Sequence, residues 1–418
     1  MTVENRDPPQ QTVLRAPNPF TPGKRLTRPD LFSGRTPQLE QGIRLLRQAA
    51  SGNARHGLIT GDRGIGKSSL ASQIENIARG DDRYGSYVRD DGEPLFNFVV
   101  AEYIAQRGDG VAELVTGLLD ALDRARNKRN GLQWELEIDL KVLKGKARQV
   151  ERERDAMTLL VDGLDDVWKA VQKRGASGVL LVIDEIDRVA EAPGVGTMFK
   201  VATEMLSARG LENIVLLPVG SVGAKELLTQ EHASVGRVFD VIHVPLLETE
   251  ESMDIVGRAL DGTGVGILAD VNEEIARLAS GFPHPVHLIG FEAYEVDDDG
   301  VIDWEDQEVG LFAIVSEKWK DEFDADYIAA GTGKNRDILR TMANYDGEDV
   351  PSAHICATLG VKQPEISSNM GSLMKRDVIV RTDRGMYRFK DAMFRIYVEY
   401  LEILGREPVE RRPKKRPR

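Results

Sequence analysis

Cysteine is almost missing from this 418-residue chain, where Cys356 stands alone. A single thiol excludes an internal disulfide framework and fits a reducing compartment. Long apolar runs are missing too. No stretch reaches the roughly 18 apolar residues of a membrane-spanning helix, and the polar, proline-rich start MTVENRDPPQQTVLRAPNPF lacks the apolar core of a secretory signal. The expected location is therefore cytoplasmic, with no membrane partner. Nor is positive charge in excess: 55 Lys and Arg against 68 Asp and Glu give a net charge of -13. That balance argues against a protein that coats nucleic acid indiscriminately, while leaving room for a local basic face.

Glycine, by contrast, is concentrated in one place. The string GDRGIGKSSL (61–70) follows the apolar stretch HGLIT and opens the helical pattern KSSLASQIENIAR. Gly61, Gly64 and Gly66 admit backbone angles that other residues avoid, so successive N–H groups can turn inward around an anion at a helix N-terminus. This is the GxxxxGK[ST] pattern, in which Lys67 reaches the β/γ-phosphates, Ser68 ligates Mg²⁺, and Ile65 and Ser69 complete the binding stretch. A second string, AGTGKNRD (330–337), lacks the first glycine and the hydroxyl after the lysine, and reads as a loop.

Apolar runs of strand length recur, each followed by helical periodicity: HGLIT, FNFVVAEYI, GVLLVID and NIVLLPVG, then VFDVIHV. Alternating strands and helices imply an α/β fold, a parallel sheet covered on both faces. The chain length allows two or three domains. Residues 1–30, with prolines at 8, 9, 17, 19, 22 and 29, read as an extended or disordered segment, and 31–247 as the P-loop core. A charged insertion at about 128–154 has the pattern of a hairpin plus helix. Residues 248–297 form a helical lid, and the acidic turn VDDDGVID reads as a solvated linker rather than a calcium loop. Residues 305–403, three helices followed by two strands around Asp383-Arg384-Gly385, have the winged helix-turn-helix pattern. A basic tail, 404–418, ends in RRPKKRPR and reads equally as a mobile electrostatic grip or as a disordered solubilising segment.

Hydrolysis needs charge chemistry beside the terminal phosphate. The run GVLLVIDEID supplies it, ending at the carboxyl edge where ligands bind in open α/β sheets. Asp184 is expected to hold the Mg²⁺ shell and Glu185 to polarise the attacking water. Ser221, after the next strand, reads as a γ-phosphate or water contact or as an ordinary turn serine. Arg237 is a candidate arginine finger, in cis or across a subunit interface of a homo-oligomer, with a solvated arginine as the alternative. His284 and His287 have no third ligand nearby, so GFPHPVH reads as the start of a lid helix opening at Pro285. The guanine-reading NKxD motif and the LSGGQ signature are both missing, which favours ATP as the nucleotide.

In this order, glycine loop, acidic strand end, polar residue after the fourth strand, arginine before the fifth, helical lid and winged helix resemble the AAA+/STAND ATPases. The likeness is to the prokaryotic archaeal-ATPase and origin-initiator-like group, and it runs from DLFSGR to about residue 403. The resemblance implies that Phe32 and Gly34 border the adenine. Initiator ATPases carry a lid arginine where this chain has GFPHPVH, which is nearer to the GxP of STAND switches and leaves His284 as the substitute contact. Two functions follow. One is a slow ATPase switch that binds double-stranded DNA through Gln363, Ser367, Ser368, Asn369 and Lys375 on the second helix and Arg381, Arg384 and Arg388 on the wing. The other is a signalling module whose winged domain meets a partner protein or effector.

Overall fold

Burial on both faces decides the centre of the sheet. In chain order the strands are β1 (His56–Thr60), β2 (Phe98–Ile104), β3 (Gly178–Asp184), β4 (Ile214–Gly220) and β5 (Phe239–His243). Every residue of β3 and β4 is buried, so their side chains fill layers above and below the sheet and not one face alone. All pairings are parallel, in the spatial order β2-β3-β4-β1-β5. The connecting helices are α1 (Thr36–Ala50), α2 (Lys67–Ala78), α3 (Val111–Asn127), α4 (Glu153–Gln172), α5 (Val195–Ala208) and the short α6 (Ala224–Thr229). Leu118, Leu160, Val161 and Phe199 of α3, α4 and α5 join Val179 and Leu181 of β3 in one core, while α1 lies on α2 with Gly42 against Ile74. The computed structural model describes residues 16–85, 96–127, 153–230, 236–345, 347 and 349–405; residues 128–152 of the charged insertion and the basic tail beyond 405 lie outside them.

The chain divides into two units, Lys24–Glu248 and Met1–Gly23 with Thr249–Arg418. Residues 1–15 of the proline-rich start lie outside the described residues, and the described part, from residue 16, is packed rather than disordered. Residues 16–28 carry no helix or strand, yet Phe20 is buried on Gly290, and Tyr294 donates to the Ala16 carbonyl. Beyond Gly23 the chain becomes a strap along α2. The Leu26 amide donates to Ser69 Oγ (3.1 Å), Gln73 donates to the Leu26 carbonyl (2.7 Å), and Asn76 to that of Thr27 (2.9 Å).

The second unit holds α7 (Thr249–Leu260), α8 (Ala269–Leu278), α9 (Pro283–Val296) and α10 (Trp304–Ala313). It continues with α11 (Lys320–Ala329), α12 (Lys334–Ala343), α13 (Ser352–Leu359), α14 (Gln363–Lys375) and α15 (Ala392–Ile403). Three departures from the sequence reading have physical causes. The helix α9 opens at Pro283 rather than Pro285, with proline in its first turn. VDDDGVID is no solvated linker: Asp297 is buried, its Oδ1 accepts the amides of Gly300 (2.9 Å) and Val301 (3.1 Å), and β7 (Val301–Ile302) pairs with β6 (Gly266–Ile267). The expected division into a lid and a separate 305–403 domain is bridged by Arg277 of α8, which pairs with the buried Glu399 of α15 (3.2 Å), beside Tyr400, whose hydroxyl donates to the Leu278 carbonyl.

After α14, β9 (Ile379–Asp383) and β10 (Met386–Phe389) form an antiparallel hairpin, and a two-residue strand before α13, β8 (Val350–Pro351), adds to its other edge. The core of this end is aromatic. Trp319 stacks on Tyr400 at 5.7 Å between ring centres, and Phe323 meets Phe394 and Tyr397.

Within the sheet unit the strap carries one specific charge. Arg25 bonds Ser72 and Glu75 of α2 and pairs with Glu102 of β2, while Glu75, largely buried, keeps a second partner in Arg79 (2.9 Å). Replacing Arg25 by alanine strips one of two cations from a buried carboxylate. We expect a loss of about 1–3 kcal/mol, less than for a carboxylate left with no partner. It would be read as a lower urea midpoint; an unchanged midpoint would show that the strap does not brace α2.

Candidate nucleotide site

The sheet order brings the functional strand ends together. β4 lies between β3 and β1, with Ile59 and Thr60 opposite Val219 and Gly220 on one side and Ile183 opposite Pro218 on the other. The P-loop leaves β1, the acidic segment leaves β3 and Ser221 follows β4, so all three emerge at one carboxyl edge.

In the loop, Gly64 and Gly66 take φ of 78° and 95°, and α2 starts at Lys67 immediately after. This is the cradle geometry that turns backbone N–H groups inward at a helix N-terminus. Gly61 meets the end of the sheet so closely that a Cβ there would stand 3.0 Å from the Val244 carbonyl oxygen. Ile65 contributes backbone rather than side chain: its side chain is buried, its amide donates to Asp62 O (3.4 Å) and its carbonyl accepts from Arg35 Nη2 (3.2 Å). Ser69, expected at the nucleotide, accepts the Leu26 amide through its Oγ and so pins the strap. Ser68 is half-buried at the first turn of α2.

Lys67 Nζ donates to the Asp62 carbonyl at 2.8 Å. Burial pushes its pKa below the ordinary lysine value, and Asp187, Glu185, Asp184 and Asp62 oppose that shift. Asp184 is buried, with Oδ1 accepting the Glu185 amide (2.8 Å). Glu185 sits in the left-handed region (φ 57°), which a side-chain-bearing residue occupies at a cost, and its exposed carboxylate is 3.4 Å from Arg188 Nε. Ser221 donates to Asp187 through both its amide and its hydroxyl, at 2.6 and 2.5 Å. Asp187 is the residue that the sequence reading passed over, although it is the third acid of the quoted string DEID.

Phe32 is half-buried in a turn whose amide closes on Pro29, and Gly34 has φ 66°. The following residue, Arg35, reaches the P-loop carbonyl, which places this segment beside the loop. Arg237 does not belong to this cluster. It is exposed just before β5, at the amino end of a strand that runs parallel to β1, so it lies at the opposite edge of the sheet and cannot act in cis. His284 belongs to the other unit, where its Nδ1 accepts the Gly23 amide at 3.1 Å. Neighbouring His287 is buried, with its pKa lowered to about 4 by burial first and His284 second. Among the described residues no group of three or more His, Cys, Asp or Glu is placed to hold a metal.

Comparison with known proteins agrees with this geometry. Residues 31–194 match the family model described as AAA ATPase domain, and residues 323–398 match a domain of unknown function (DUF8462). Over most of its length the chain shares the fold of solved P-loop ATPases. The Walker-type ATPase PABY2304 of Pyrococcus abyssi is similar over 91% of this chain and 99% of its own, with a TM-score of 0.54 at 18% identity. The ORC2 protein of Aeropyrum pernix, solved as ADPNP–ADP complexes, is similar over 91% and 98%, with a TM-score of 0.52 at 14% identity. No curated protein matches the chain. The matched AAA domain carries the P-loop, Asp184, Glu185 and Asp187 and stops before β4 and Ser221. No helix among the described residues is long and apolar enough to cross a membrane.

Proposed function

We propose that the protein is an ATP-hydrolysing switch. The observation that carries this reading is the convergence of Lys67, Asp184, Glu185 and Ser221 at one sheet edge, the first three within the stretch that matches the AAA ATPase domain. The P-loop amides and the Lys67 charge hold the phosphates. Mg²⁺ fits the donors present, a hydroxyl at Ser68 and a buried carboxylate at Asp184, and would offset phosphate charge there. Glu185 polarises the attacking water; its left-handed backbone lifts the carboxylate out of the strand, exposed to solvent. Phe32 and Gly34 border the base. Arg237, at the far edge, serves only the site of another copy of the chain, so full activity requires a homo-oligomer.

Lys67→Ala should abolish ATP binding by calorimetry. Glu185→Gln should bind ATP as the wild type does and slow turnover by about 10²-fold or more. Wild-type turnover in the glutamine variant would remove Glu185 from this role.

The 334–389 region, α12, β8, α13 and α14 followed by the β9–β10 hairpin, has the order of a winged helix. As a DNA reader it rests on the exposed Gln363, Ser367, Ser368 and Lys375 of α14 and the exposed Arg381 and Arg384 of the hairpin. Two expected contacts are otherwise engaged. Arg388 forms a two-pronged pair with Asp349 (3.0 Å each), and Asn369 donates to Asn335 (2.6 Å). Residues 323–398 hold eleven Lys and Arg against ten Asp and Glu, a weak electrostatic footprint for DNA. That balance favours the second reading, a module that meets a partner protein when the nucleotide changes. Arg381→Ala/Arg384→Ala should reduce the salt slope of duplex retention by about two log units per log salt if the domain docks on DNA, while Arg388→Ala should mainly lower stability. No retention of the ATP-loaded wild type at low salt would establish the protein-contact reading.

A further inference from the structure

Asp187 spends both carboxylate oxygens on a single residue. Oδ2 accepts the Ser221 amide at 2.6 Å and Oδ1 accepts the Ser221 hydroxyl at 2.5 Å. The approach depends on Gly220, the last residue of β4: a Cβ there would stand 3.0 Å from Asp187 Oδ2 and 2.6 Å from Ile186 Cγ2. Asp187 is also the first of the carboxylates that oppose the lowering of the Lys67 pKa by burial. The acidic segment after β3 and the end of β4 are thus locked together beside the P-loop lysine.

The direction of the hydroxyl bond decides what Ser221 can do. A serine hydroxyl has one hydrogen and two lone pairs, and an ionised carboxylate only accepts. With its hydrogen committed to Asp187, Ser221 Oγ presents lone pairs alone to the site. A phosphate oxygen is itself an acceptor and gains nothing from a lone pair, whereas a water molecule can donate to one. We infer that Asp187 is a positioning residue that fixes the Ser221 hydroxyl as a hydrogen-bond acceptor, so that Ser221 orients the attacking water and does not bind the γ-phosphate. The inference rests on reading the P-loop site as an ATPase site. It divides the labour between two groups: Glu185 draws a proton from the water, and Ser221 holds the water's other hydrogen.

The test is a double-mutant cycle on the full chain with Mg²⁺ and ATP, reading Kd, kcat, KM and the thermal midpoint. In Asp187→Asn the amide donates to Ser221 Oγ and reverses the polarity of the bond at nearly constant size. We expect Kd for ATP to stay within about 3-fold of wild type and kcat to fall by roughly 10- to 100-fold. Ser221→Ala should show the same split, and the double variant should be no slower than the slower single one. Multiplicative losses in the double variant, or a loss of ATP affinity with kcat retained, would overturn the inference. If Asp187→Asn fails to fold, Ser221→Ala alone decides: wild-type kcat there also overturns it. A wild-type protein that binds no ATP would instead overturn the site reading and this inference with it.

Discussion

The placement of β4 between β3 and β1 is the constraint on which the rest of the sheet unit depends. Two fully apolar strands side by side can be buried only at the centre of a covered sheet, and a parallel arrangement sends their carboxyl ends to the same edge. The lysine, the acidic pair and the serine, which lie on three different strand ends spread over more than 150 positions of the sequence, thereby meet. Their burial is costly, and the cluster offsets it internally. Lys67 is held by a loop carbonyl and the field of four carboxylates, Asp184 by the next amide, and Ser221 by Asp187.

The second unit is held by a different combination. Its aromatic cluster around Trp319, Phe323, Tyr397 and Tyr400 supplies apolar burial, and the Arg277–Glu399 pair adds a directional link from α8 to α15. Burial raises the Glu399 pKa, and Arg277 works against that rise. Removing the arginine alone would leave the carboxylate desolvated, so the pair specifies this packing more than it stabilises it. The region from α12 to β10 is therefore built into a larger helical body.

The strands and the P-loop were legible in the sequence because their signals are local: continuous apolar runs, and glycines at fixed offsets before a lysine. Even Pro218 left β4 readable, since it falls where the strand's recorded pairing passes from β3 to β1. Other elements were present but harder to isolate. Met157, Leu160, Val161, Leu164, Val167 and Val171 mark the buried face of α4 at helical spacing, directly after a charged stretch that drew the reading to itself. The proline-rich start looked unpackable from composition, yet Phe20 finds its place on Gly290, some 270 positions later, a match that no local pattern encodes. Ser69, Asn369 and Arg388 had the right residue types at the right positions for ligand contacts. Only the fold shows that their polar groups already serve the strap, Asn335 and Asp349. Arg237 failed as a cis residue for a topological reason: it precedes a parallel strand, and the site lies where such strands end.

The central claim is that nucleotide engages the carboxyl edge of the sheet. Amide hydrogen exchange of the wild-type chain with and without Mg²⁺ and ATP tests it most directly, because peptides covering 61–69, 184–187 and 219–222 report on the three strand ends separately. The account requires slower exchange in the P-loop peptide together with the other two on adding ATP. Unchanged exchange in residues 61–69 at saturating ATP, or protection confined to the Thr249–Arg418 unit, would contradict it.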